Sequence, residues 1–192
     1  MIRAIIFDWH GVLDQVKLEN LIEKLSEISG KGLGEVKEIV KRLERPYVEG
    51  KVSPEMFWND IQDVFSLSDE DLEKSKRSIL VIKRNSETWD LLPDLKSQYC
   101  LAILSDCPED KMNLIRKDVD LSIFQAAHFS CEEHLLKDMP EFFIHMENIL
   151  GIKKDECLYV DDNEKNIKFA TDLGFQVCHF QSVDDLKFAL NI

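Results

Sequence analysis

Five short apolar runs punctuate the chain, at Ile2–Phe7, Leu101–Leu104, Ala126–Phe129, Cys157–Val160 and Phe175–Phe180. Several are continuously apolar instead of alternating, as strands covered on both faces of a parallel sheet should be. Helical periodicity separates or follows the later runs, at Glu109–Lys117, Pro140–Leu150, Lys165–Leu173 and Val183–Leu190. This strand–helix alternation predicts an α/β fold with a doubly wound, Rossmann-like parallel sheet.

The first run breaks the rhythm, because the interval before the second is helical almost throughout. Leu18, Leu21, Ile22, Leu25 and Ile28 share one helical face, and Leu33, Val36, Ile39, Val40 and Leu43 share another. Ser53-Pro54-Glu55 has the form of an N-cap with proline at the first helical position, opening a helix that would bury Met56, Phe57, Ile61, Val64 and Phe65. Ser68 starts the next. The expected organisation is an α/β core of residues 1–14 and 85–192, with an all-helical unit of residues 15–84 inserted after the first strand. Phe57, Trp58 and Trp89 lie at helical spacing among other apolar residues and read as core.

Composition narrows the functional classes. Across 192 residues, 24 Lys and Arg against 37 Asp and Glu give a net charge of −13, which argues against a protein that tracks nucleic-acid phosphates. No stretch has the length or apolarity of a membrane span, and the N-terminus lacks a basic region followed by an apolar one, so the expectation is a cytoplasmic protein that binds no membrane. The five cysteines include no CxxC pair and fit neither a disulfide framework nor a zinc site. They read as small buried hydrophobes in a reducing compartment. His128, His145 and His179 show no ligand-like spacing and read as structural.

In open α/β sheets ligands collect beyond the carboxyl ends of the strands. Asp8 follows the first run, Ser105 and Asp106 the second, Asp161 and Asp162 the fourth. Taken singly, each fits a turn or a helix cap. Brought to one edge of a sheet, they suggest a divalent cation and a nucleophile in place of a nucleotide cradle, since neither GxGxxG nor GxxxxGK[ST] occurs.

With these residues in view, the sequence resembles the haloacid dehalogenase superfamily over nearly its whole length. Ile5-Ile6-Phe7-Asp8-Trp9-His10-Gly11-Val12-Leu13 is similar to the family's first motif and Leu101–Ser105 to its second. Lys137, Pro140 and Phe142 within Ser130–Phe143 are similar to the third, and Leu158–Asn163, with Asn166 and Leu173-Gly174-Phe175, to the fourth. The helical insertion resembles the family's first cap type, with Gly50–Trp58 like its cap turn and following helix. The resemblance implies a hydrolase of small phosphorylated compounds with Asp8 as the nucleophile that forms an aspartyl-phosphate. Ser105 and the backbone N–H of Asp106 would hold the phosphoryl oxygens, and Lys137 would tie Asp8 to the transferred group.

Magnesium suits this chemistry, because it takes one or two carboxylates, waters and phosphate oxygens. Asp8, Asp162 and the backbone carbonyl of His10 would supply protein ligands, with Asp161 a direct or water-mediated supporter. The chain departs from the family where phosphatases place a second Asp, two residues after the nucleophile; His10 stands there. An imidazole can serve as acid and base near neutrality, but like charge beside a cation pushes it toward the neutral form and weakens it as the acid. Asp106 replaces a frequent Asn and His134 a usual Gly, both changes expected to weaken anion binding. Two other readings stay open: a relative that keeps the pocket only for binding or interaction, and a phosphonate hydrolase using a cap lysine such as Lys24 or Lys51.

Overall fold

The computed structural model describes every residue, Met1–Ile192. Five strands, β1 (Ala4–Phe7), β2 (Cys100–Ser105), β3 (Ala126–Phe129), β4 (Cys157–Asp161) and β5 (Gln176–His179), form one sheet. Its order is β3-β2-β1-β4-β5 and every pairing is parallel. β1 sits at the centre, with Ile5 opposite Leu101 on one side and Leu158 on the other.

Alternate residues of β1 feed two separate cores. Ile5 and Phe7 face Leu92 and Leu95 of α5 (Ser86–Lys96), Met112 and Ile115 of α6 (Glu109–Asp118), and Leu186 and Leu190 of α10 (Val183–Leu190). Ala4 and Ile6 face Phe142, Phe143 and Met146 of α8 (Pro140–Leu150) and Ala170 of α9 (Glu164–Leu173). Both faces are covered, so the apolar runs need not alternate. The fold is the doubly wound α/β arrangement expected, and the strand order reverses at β1, where its carboxyl end and that of β4 open a crevice.

Between β1 and β2 lie α1 (Leu18–Ser29), α2 (Leu33–Val48), α3 (Pro54–Phe65) and α4 (Asp69–Ile79). They bury their own cluster, including Leu21, Leu25, Val36, Val40, Tyr47, Phe57, Trp58 and Ile61. Ser53 caps α3 by accepting from the Met56 N–H at 3.2 Å, with Pro54 at the first position. Phe57 and Trp58 are core as expected, and Trp89 packs edge-on against Trp9 with ring centroids 6.2 Å apart. No helix is long and apolar enough to cross a membrane. All five cysteines are free thiols, and all but Cys100 are buried.

Two elements exceed the sequence expectation. α5 has no bounds of its own in it; it contains Pro93 and packs Trp89, Leu91, Leu92 and Leu95 against the core. α2 runs past Leu43 and through Pro46 to Val48, bringing Tyr47 and Val48 onto the α/β core. There Tyr47 and Trp58 both donate to Asp110 of α6, the indole at 3.0 Å. The turn after α2 fits so closely that a side chain on Gly50, at φ +72°, would collide with the Cys131 carbonyl.

Candidate active site

β1 and β4 run side by side and end on carboxylates, so their register sets the distances between Asp8, Asp161 and Asp162. Each offers a carboxylate oxygen, and these oxygens all lie within 4.8 Å of one another. Lys137, only 2% exposed, bridges two of them, with its Nζ 2.6 Å from Asp8 and 2.8 Å from Asp161. Asp161 also accepts from the Tyr159 hydroxyl, from Asn163 N–H at 2.7 Å and from the Asn166 amide at 3.0 Å.

The surroundings push the two aspartates in opposite directions. Burial raises the Asp8 carboxyl to about 7 in spite of Lys137, with Asp161 and Asp162 adding to the rise. Burial also works against ionisation of Asp161, but Lys137, Tyr159 and Asn163 outweigh it and hold that carboxyl below its ordinary value. A divalent cation beside Asp8 and Asp162 would remove the like-charge crowding that Lys137 alone does not offset. An all-oxygen donor set of this kind fits magnesium, and Asp161, already committed to four donors, fits a supporting place better than a direct ligand.

His10 follows the turn out of β1 and lines the same cavity. Burial, with Lys111 and Lys137 nearby, lowers its imidazole to about 3, so the ring is neutral at physiological pH. Burial is the largest cause and two lysines add to it, whereas the sequence suggested a cation. Gly11, at φ +82°, leaves no room for a Cβ, which would strike the Asp162 carboxylate. Asp162 also pairs with Lys17 from the segment before α1.

Ser105 ends β2 with its hydroxyl fully buried and without a hydrogen-bond partner. Such an orphan costs stability unless a ligand uses it. Asp106 accepts the Lys137 backbone N–H at 3.0 Å, and burial raises its carboxyl to about 6 against the pull of Lys137. His134 adopts the left-handed conformation, φ 56°, that a glycine would take without strain, and its ring contacts the Glu49 carbonyl at 2.9 Å. Of the sequence-named residues, Asp8, His10, Asp106, Lys137 and Asp162 therefore line one cavity at the carboxyl edge of the sheet, whereas the helical-unit lysines Lys24 and Lys51 pair with Glu27 and Glu49 and do not line it.

The cavity holds about 760 Å³. Sequence reasoning missed several residues on its wall: Lys17, Glu19, Lys41 and Glu44 from the helical side, and Lys111 and His179 from the α/β side. Only Val16, Leu18, Ile79 and Leu80 are aliphatic, and no Phe, Tyr or Trp reaches it. The missed residues carry no motif: the folding of α1 and α2 over the strand ends brings those of the helical side there, and Lys111 and His179 arrive on α6 and β5.

A protein-family model for haloacid dehalogenase-like hydrolases matches residues 2–174. A haloacid dehalogenase family enzyme of Bacteroides thetaiotaomicron superposes with a TM-score of 0.81 at 22% identity, covering 98% of each chain. The same enzyme in complex with magnesium and inorganic phosphate gives 0.75 at 23%, over 92% of this chain and 93% of that one. A predicted haloacid dehalogenase-like family hydrolase of Porphyromonas gingivalis gives 0.79 at 23%, over 100% and 99%. Flavin mononucleotide hydrolase 1 of Arabidopsis thaliana is 31% identical over 75 residues, which are 38% of this chain and 31% of that relative's length.

Proposed function

The chain belongs to the haloacid dehalogenase-like hydrolases, and on that premise we propose that it is a magnesium-dependent phosphatase of small, polar phosphorylated metabolites acting through an aspartyl-phosphate. The observation that carries this reading is the junction of Asp8, Asp161 and Asp162 around Lys137 at the floor of a cavity. Helices within residues 15–84 serve as the cap that closes over the substrate.

Asp8 attacks phosphorus, the ester P–O bond breaks, and its electron pair leaves with the substrate oxygen. Lys137, the Ser105 hydroxyl and the Asp106 N–H hold the phosphoryl oxygens. Asp8, Asp162 and the His10 carbonyl would hold magnesium, which would supply charge neutralisation at those oxygens. His10 then takes a proton from the water that attacks the acyl-phosphate, releasing phosphate and restoring Asp8. A ring held neutral has no proton for the leaving oxygen in the first half, and a value of about 3 leaves it only a weak base for the second, so turnover should be slow and good leaving groups should turn over faster than alkoxides.

The polar wall without an aromatic platform supports a small substrate over a flavin nucleotide, whose ring system such sites hold by stacking. The test is a magnesium-supplemented screen of phosphorylated metabolites, flavin mononucleotide and an aryl phosphate, run on wild type, Asp8→Asn and His10→Ala. Wild type should release phosphate, fastest from the aryl ester. Asp8→Asn should lose about 10⁴-fold or more and His10→Ala about 10²-fold. A flat panel for wild type would favour a binding protein instead, and full activity in Asp8→Asn would place the chemistry elsewhere.

A further inference from the structure

Outside this cavity, two histidines and a glutamate that sequence spacing gave no reason to connect come together. His128 lies on β3, Glu133 in the short helix α7 (Ser130–Glu133), and His145 on α8. His128 Nδ1 is 3.0 Å from one Glu133 carboxylate oxygen and His145 Nδ1 is 3.3 Å from the other. The two imidazoles meet edge to face, with ring centroids 5.2 Å apart, and the ligand atoms of the three residues lie within 4.8 Å of one another.

We propose that His128, Glu133 and His145 form a second metal site, for Zn²⁺ or a similar borderline transition-metal ion. A tetrahedral ion with bonds of about 2.0–2.2 Å to nitrogen and oxygen spaces neighbouring ligand atoms about 3.3–3.5 Å apart. The histidine–carboxylate separations are already near that value, so small side-chain rotations would admit an ion between them. Donor chemistry separates this site from the cavity: two imidazole nitrogens and one carboxylate favour zinc, whereas the aspartates offer only oxygen and favour magnesium.

Access and rigidity both suit such a site. The side chains of His128, Glu133 and His145 are 18%, 26% and 39% exposed, open enough for an ion to enter and for water to complete its coordination. His128 is fixed by the pairing of β3 to β2, where it stands opposite Leu104. The net charge of −13 favours cations over the whole surface.

Occupancy would tie together the three elements that frame the loop bearing Lys137. The same stretch also receives the helical layer, because Ser130 donates to the Val48 carbonyl while accepting from Cys107 N–H at 2.9 Å. A bound ion would thus brace the third-motif segment without entering the reaction, and the site does not depend on what the cavity hydrolyses.

The experiment uses the full chain, stripped with a chelator and titrated with Zn²⁺ alone against a chromophoric zinc indicator, with excess magnesium present to occupy the aspartates. Wild type and Asp162→Asn should each bind one zinc per chain. His145→Ala and Glu133→Gln should bind it about 100-fold more weakly, at least the cost of losing an outer-shell partner. A second readout is Co²⁺, whose visible absorption should be intense and tetrahedral in wild type and absent in the His128→Ala, His145→Ala double variant. Equal zinc affinity in wild type and that double variant would overturn the proposal. So would a wild type that takes up no zinc, which would leave Glu133 as an ion-pair partner for the two rings.

Discussion

Two buried lysines, alike in exposure and in pairing, do different things. Lys137 and Lys111 are each 2% exposed, and each places its ammonium 2.8 Å from an aspartate. Lys111 is saturated by protein: Asp14, the Ile79 carbonyl at 3.1 Å and the Val81 carbonyl at 2.5 Å use its three donors. Asp14 in turn accepts from Trp9 Nε1, Val16 N–H and Lys83 N–H. This cluster stitches together the two strands of chain that join the helical layer to the sheet, where Gln15 also bonds Lys83 and Asn85 bonds Leu13. Lys137 instead shares its charge between Asp8 and Asp161 with further carboxylates close by. A buried ion pair is a clamp when its partners are complete; where negative charge is left over, it leaves a place for a cation or a ligand.

The sharpest break in the comparison is Lys137→Met. Under the proposed mechanism kcat should fall about 10³-fold, the scale of losing a preorganised charge at the transition state. Its stability should also drop, because Asp8 and Asp161 lose their shared counter-charge. Magnesium should restore much of that stability by pairing with Asp8, while leaving turnover low. Thermal unfolding with and without magnesium, beside single-turnover kinetics, reads both effects; activity near wild type would remove Lys137 from the chemistry.

Lys111→Met tests the other half. It strands Asp14, which is fully buried, and should cost about 3–5 kcal/mol in chemical unfolding, with no special rescue by magnesium. Turnover by the folded fraction should fall by less than about tenfold, equivalent to about 1.4 kcal/mol. A stability loss below about 1 kcal/mol, or recovery with magnesium, would make the two lysines equivalent.

The same contrast explains what the sequence disclosed. Asp8, Asp161 and Asp162 were legible because continuous apolar runs mark buried strands, and a polar residue at such a strand's carboxyl end stands out. Lys137 was legible only through the family resemblance of its segment. Lys111 was hidden in Glu109–Lys117, a polar helical stretch that reads as solvent-facing; its burial comes from residues 79–83, distant in sequence, folding across it. α5 was legible only as part of a mostly helical interval, without bounds, and the His128–Glu133–His145 cluster was lost to the fact that its members belong to three elements. Local pattern reports which face a residue takes on its own element, and says little about what another part of the chain lays over it.

Glu44 shows what happens to a carboxylate in this cavity that has no lysine bound to it. It lies on α2 at the cavity wall, forms no ion pair, and is raised from 4.5 to about 7 by burial first and the nearby Asp106 second, with Lys41 only partly opposing. The folded chain therefore keeps a proton on Glu44 that the unfolded chain releases between about pH 4.5 and 7. In that interval the folded state binds more protons, so stability falls as pH rises and stays lower above it. Glu44→Gln should match wild type near pH 4 and exceed it at pH 8, by on the order of 1 kcal/mol given the partial exposure of the side chain. Unfolding curves for the two proteins that stay parallel across that range would mean Glu44 is ionised and compensated, and that the cavity is less short of positive charge than Asp8 and Glu44 together imply.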